Sequence, residues 1–241
     1  MNAIMAESSP TETKTKTPTA RVIAWCLTVI GVALSLFQLY TAGMVAMTAM
    51  RHRSVFLTCI LAMTFLIKPL YKGARKDKFN FAMIIDLILI AMAVFIGFYI
   101  FIDLQGIFER QGDWSPWDFR VGVALVLLVL EATRRVIGLN LTVIAVMFLL
   151  FGYFGPWMPE LIVHKGYSVE RIATPLSLTT EGIFGLPLGV ASTFVFIFIL
   201  FGAFLDKTGA GSFFINLSYS ITGRFSGGPD KTAVVASGFM G

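Results

Sequence analysis

The chain has 241 residues, of which 56% are hydrophobic and 14% charged, and its mean hydropathy is +0.80. A soluble domain carries about a quarter charged residues, so this composition argues against a water-soluble globular protein and leaves lipid as the solvent for the long apolar blocks. The net charge of +5 sits in short islands between those blocks, where basic residues orient a membrane protein, and it gives no argument for nucleic acid. Cys26 and Cys59 both lie inside apolar blocks, which speaks against a disulfide framework.

Residues 1–20, rich in Ser, Thr, Pro and Lys, are expected to form a disordered cytoplasmic tail. A helix rises about 1.5 Å per residue, so about 20 apolar residues cross the hydrocarbon core. Six blocks meet or approach that length: 22–43, 54–71, 79–102, 119–136, 139–157 and 183–205. The second follows the basic island Arg51-His52-Arg53 and closes at Lys68-Pro69, and the third carries one charge, Asp86. The fifth ends in Tyr153, Phe154, Pro156 and Trp157, side chains that favour the membrane interface. Residues 158–181 are too polar to span and predict an interfacial helix broken near Pro175. A helix over 212–221, a polar turn (GRFSGGPDK) and a last apolar segment, 232–241, complete the chain. The expected fold is therefore all-α and polytopic: about six spanning helices, an interfacial helix, and the first arm of a re-entrant hairpin.

With the N-terminus in the cytoplasm, only Arg51, Arg53, Arg110, Arg120, Lys165 and Arg171 of the 19 basic residues fall on the outer side. That asymmetry follows the positive-inside rule.

Enzyme chemistry has little support. His52 and His164 are the only histidines, no paired-His or Cys/His spacing suggests a metal, and neither a GxSxG nucleophile nor a GxxxxGK[ST] phosphate loop occurs. No catalytic residue, metal or organic cofactor is expected. Asp86 is the conspicuous intramembrane charge, and a carboxylate there must face protein or water. It reads first as a boundary anchor, paired with the Lys72–Lys78 loop or with Arg134 or Arg135; a coupling or proton site is the alternative. In LEATRR, Glu131 meets Arg134 and Arg135 at i+3 and i+4 on one helix face, an ion-paired membrane end or a docking point. TEGIFGLPLGV places Gly182, Gly185, Pro187 and Gly189 at the mouth of a span, and Gly227, Gly228 and Pro229 form a second break. Such residues permit close helix packing and broken helices.

The stretches LEATRRVIG, TEGIFGLPLGVASTFVFIFILFGAFLDKTGAG and GRFSGGPDKTAVVASGFMG resemble a tripartite ATP-independent periplasmic (TRAP) transporter permease, of the type whose small and large membrane subunits are fused. The resemblance runs from about Arg51 to Gly241. It implies a small-subunit-like scaffold of four helices over 21–138 and the start of a large transport domain over 139–241, which moves against the scaffold as an elevator. It further implies sodium as the coupling ion, an organic-acid solute, a periplasmic binding protein of the TAXI class as partner, and residence in the bacterial inner membrane. Ser237 and Gly238, on the first hairpin arm, would contribute to the ion or substrate site. On this resemblance the rest of the permease, with the hairpin tip and a second half, is expected beyond Gly241. A self-contained accessory or scaffold subunit, with the SGGP segment as a plain interhelical turn, is the competing reading.

Overall fold

The computed structural model describes residues 18–44, 47–68, 70, 81–159, 162–222, 234 and 237–238. The first seventeen residues, the GRFSGGPDK turn and most of 232–241 lie outside the described residues. Helices run in the order α1 (Pro18–Gly43), α2 (Ala49–Ile67), α3 (Phe81–Ile102), the short α4 (Leu104–Glu109), α5 (Pro116–Val136), α6 (Leu139–Tyr153), α7 (Val169–Leu178), α8 (Leu186–Val190), α9 (Phe196–Lys207) and α10 (Ala210–Thr222). A single π-helical turn, Ala191–Val195, joins α8 to α9 without a break. The described residues contain no strand, and the fold is all-α and polytopic.

Among the described residues, four helical segments are long and apolar enough to cross a bilayer: Ala20–Gly43, Ala49–Ile67, Phe81–Ile102 and Leu186–Lys207. The other two expected spans differ for visible reasons. In α5 the charges Asp118, Arg120, Glu131, Arg134 and Arg135 confine the uncharged stretch to 121–130. The 15 residues of α6 stop short of the expected Trp157, because the backbone tightens into a 3-10 turn at Gly155–Trp157. At its other end α6 starts behind Gly138, whose φ of 117° is closed to ordinary L residues.

Two local expectations need correction. The island Arg51-His52-Arg53 does not precede the second span but lies within α2; the helix can include these side chains because the Arg51 guanidinium lies 5.8 Å from the Phe101 ring centre and His52 and Arg53 have the contacts inside the protein described below. The amphipathic helix does not break at Pro175. It runs through to Leu178, steadied by hydroxyls that donate to carbonyls one turn back: Thr174 Oγ1 to Glu170 O at 2.6 Å, Ser177 Oγ to Ala173 O at 2.6 Å, and Thr179 Oγ1 to Pro175 O at 2.7 Å. Neighbouring helices and such hydroxyls let membrane helices tolerate proline.

Packing centres on α2, α3 and α5, which bury Phe65, Ile96, Ile100, Leu125 and Leu128 together with Leu178 of α7 and Phe184 of the turn beyond it. Gly97 lets α3 close onto Thr58 of α2, where a Cβ would overlap the threonine hydroxyl. Gly122 does the same for α5 against α7, since a Cβ there would lie 2.7 Å from Ser177 Oγ. By contrast α6 and α9 bury none of their residues.

Candidate functional site

The glycine-rich stretch after α7 is a tightly wound reversal. Ile183 N donates to Leu176 O at 2.7 Å, bringing the chain back over the end of α7. Gly182 sits so close to the Leu176 backbone that any Cβ would overlap it. Gly185 N then donates to Gly182 O at 2.9 Å, Gly185 caps α8, and Pro187 occupies its first turn, where a missing N–H leaves no helix bond unmade. The turn is anchored by Phe184, whose side chain is 1% exposed.

Arg53 of α2 reaches this turn. Its Nη1 donates to Phe184 O at 2.6 Å and to Gly185 O at 3.2 Å, and its guanidinium lies against Gly189, where a Cβ would stand 2.6 Å from Nη2. One turn on, Ser192 Oγ and Thr193 Oγ1 both donate to Gly189 O, at 3.0 and 2.8 Å. The carbonyls exposed by the broken helix and the π turn are thus met by side chains, as the scarcity of unpaired buried carbonyls requires. Beside Arg53, His52 Nε2 lies 2.7 Å from Gln38 Oε1 of α1. An amide oxygen only accepts, so this ring nitrogen is the donor. Phe37 stacks on the imidazole at 5.7 Å between ring centroids.

At the opposite end of α2, a charge cluster joins three helices. Arg135 Nη1 donates to Asp86 Oδ1 of α3 at 2.5 Å and to Lys68 O beyond α2 at 3.1 Å. Its Nε bonds Glu131 Oε1 at 2.7 Å, and its guanidinium lies 5.0 Å from the Phe65 ring centre. Arg134 donates twice to Glu131, both at 2.7 Å. Two arginines balance two carboxylates, and only 1% of the Arg135 side chain is exposed. The structure therefore brings Asp86, Glu131, Arg134 and Arg135 into one neutral group.

A second cluster, unmarked in the sequence, closes the far end of the α3–α5 pair. Asp118, fully buried, accepts from Tyr99 Oη at 2.7 Å, Arg110 Nε at 2.9 Å and Ser115 N at 3.0 Å. Arg110 also donates to Asp103 at 2.6 Å. Hydrogen bonds to Asp118 and then Asp103 raise the pKa of the Arg110 guanidinium. With one cluster at each end, the contacts show that α3 and α5 run antiparallel.

Ser237 and Gly238 stand apart from these groups: both are exposed, Ser237 Oγ donates to Val234 O at 2.8 Å, and nothing lies within 4 Å of the Cβ position at Gly238. Gly227, Gly228 and Pro229 lie outside the described residues. Among the described residues no set of His, Cys, Asp and Glu forms a metal-binding group.

Residues 124–241 match the family model of the tripartite ATP-independent periplasmic transporter, DctM component. The matched segment begins within α5 and takes in the Arg134/Arg135 cluster, the glycine-rich turn and α8–α10. No curated protein and no solved structure matches the chain.

Proposed function

We propose, from the match of residues 124–241 to the family model of the tripartite ATP-independent periplasmic transporter, DctM component, that the chain belongs to this family and serves sodium-coupled uptake of an organic acid. A transporter permease component is what that family is; the coupling ion and solute are the finer reading. The match over residues 124–241 carries the proposal. The wound-back turn at Gly182–Gly185 and the π turn after it add support, because interrupted helices are a recurring feature of ion-coupled carriers.

In this reading, residues 21–138 are the scaffold and 139–241 open the transport domain. Ser237 and Gly238 lie on the arm leading to the ion site. A periplasmic binding protein of the TAXI type delivers the solute, and the remainder of the permease completes the pathway. The protein resides in the bacterial inner membrane with its N-terminus in the cytoplasm, as the asymmetry of its basic residues supports. Arg53 holds the scaffold against the first segment of the transport domain, and the Asp86–Arg135 pair anchors the scaffold.

The test is uptake of labelled organic acids into proteoliposomes holding the full-length permease. An inward sodium gradient plus the cognate binding protein should drive accumulation with no nucleotide present, and S237A should raise the sodium concentration needed. Uptake that persists without the gradient, or that needs ATP, would overturn the proposal.

A further inference from the structure

His164, in the connection between α6 and α7, belongs to neither charge cluster, and both of its ring nitrogens are committed. Its Nδ1 accepts from Gly166 N at 3.1 Å, and its Nε2 lies 3.1 Å from Phe151 O. An amide N–H only donates and a carbonyl only accepts, so Nδ1 carries no proton and Nε2 does. The ring is therefore neutral and held in one tautomer. The chain around it is shaped to fit. A Cβ at Gly155 would overlap the imidazole, and Gly166 adopts a φ of 70°, with its Cβ position 2.7 Å from Pro156 Cδ. Phe151 and Tyr167 flank the ring at 4.9 and 6.1 Å between ring centres. These contacts close the end of α6, where the last carbonyls have no partner within the helix. His164 Nε2 takes Phe151 O, Tyr167 N takes Gly152 O at 3.0 Å, and His164 N takes Gly155 O at 3.3 Å. The titratable side chains nearby are Tyr153 on α6, Lys165 and Tyr167 in the connection, and Glu170 and Arg171 at the start of α7; Glu160 lies outside the described residues. Among the described residues, neither ring nitrogen bonds a carboxylate that would hold a second proton in place.

We propose that His164 is a pH-sensitive latch on the α6–α7 connection, closed while its ring is neutral and open once the ring takes a second proton. Histidine changes charge between about pH 5 and 8, and this ring is only half-buried, so solvent reaches it. A proton taken from solvent by Nδ1 turns that nitrogen from acceptor to donor. The Gly166 N–H then faces another N–H, and its bond breaks. The bond from Nε2 to Phe151 O survives, and the negative end of α6 favours the cation, so protonation undoes the Gly166 side of the latch alone. Tyr167 N, next in the chain, loses support for its own bond to Gly152 O. Which side of the membrane supplies the proton rests on the orientation proposed above; the latch itself does not.

Amide hydrogen exchange of the full-length permease in detergent, corrected for the intrinsic effect of pH, tests this. Between about pH 8 and about pH 5, protection of the Gly166 and Tyr167 amides should fall about fivefold, as loss of one exposed hydrogen bond implies. The buried α3 amides between Ile96 and Ile100 should keep theirs. His164→Gln offers one acceptor and one donor but takes no proton in this range, so its protection at Gly166 and Tyr167 should be the same at both pH values. Equal wild-type protection at both values, a fall shared by the α3 core, or a fall in His164→Gln equal to that of the wild type would each overturn the proposal. Should the variant fail to fold, nitrogen NMR of wild-type protein labelled in its histidines suffices. His164 Nδ1 should be bare at about pH 8 and should gain its proton as Gly166 loses protection, whereas a protonated Nδ1 at that pH refutes the latch.

Discussion

Asp86 and Arg135 are 49 positions apart in the chain and 2.5 Å apart in space, on helices that run in opposite directions. The arginine is almost fully buried and the carboxylate nearly so. A buried pair contributes little net stability, but removing one partner strands the other charge at a cost of about 3–5 kcal/mol. Arg135→Gln should therefore be the harsher change, because it leaves Asp86 and Glu131 together without their shared cation. Asp86→Asn should cost about 1–3 kcal/mol, since Arg135 keeps Glu131. Thermal unfolding of the two single variants and the double variant in one detergent reads the coupling. Strictly additive losses would remove the anchor reading, and an altered sodium dependence of Asp86→Asn in the full-length permease would revive a coupling role.

Gly182→Ala should be among the most damaging small substitutions in the chain, at about 2 kcal/mol or more, because its Cβ would overlap the Leu176 backbone. Gly31→Ala, with nothing within 4 Å of its Cβ, is the matched control and should gain about 0.5–1 kcal/mol from helix propensity. Equal melting temperatures for the two would contradict the packing described for the reversal.

Arg53→Ala and Gly189→Ala attack the same contact from two sides, the first by deleting the donor and the second by pushing the guanidinium aside. Each should loosen the turn, and the double variant should cost little more than the worse single one, since contacts within one network are not additive. Arg53→Lys should rescue only partly, because an ammonium lacks the fork. Hydrogen exchange of the amides at 182–189 is the direct readout, and unchanged protection in Arg53→Ala would rule the contact unimportant.

Tyr99→Phe removes one of three donors to Asp118 and should cost about 1 kcal/mol, whereas Asp118→Leu, which leaves Arg110 with Asp103 alone and takes the acceptor from Tyr99 Oη and Ser115 N, should cost more. Arg110 keeps its charge more firmly when folded than when unfolded. Its raised pKa thus contributes stability fully present below the unfolded value and lost only as the pH climbs past the folded one. An alkaline melt at pH 10 should show no loss traceable to the Arg110 charge, while Arg110→Gln should lower the melting temperature at neutral pH.

Long uncharged runs disclose their helices from sequence, and so does the face shared by Glu131, Arg134 and Arg135, because a helix period puts positions three and four apart side by side. Arg53 escapes such reading. It belongs to a basic island that resembles a span boundary, and its partners are main-chain carbonyls 131 and 132 residues away, atoms that every residue possesses. Asp118 is hidden for a related reason: three of its partners come from α3, the α4–α5 connection and its own cap, and only tertiary packing gathers them. Pro175 misleads because its ring signals a break, while the hydroxyls of Thr174, Ser177 and Thr179 that offset it act only once the helix has formed.

The two charge clusters also act as a ruler. Thirteen residues separate Asp86 from Tyr99 on α3, which at 1.5 Å per residue is about 20 Å, and hydrocarbon is about 30 Å deep. At least one cluster therefore lies below the headgroups, and the surrounding lipid must thin to meet it, since tilting would only shorten the span. Bilayers of short-chain lipid should suit this protein, and progressively thicker ones should strain the Asp86 and Asp118 ends of the same helix pair.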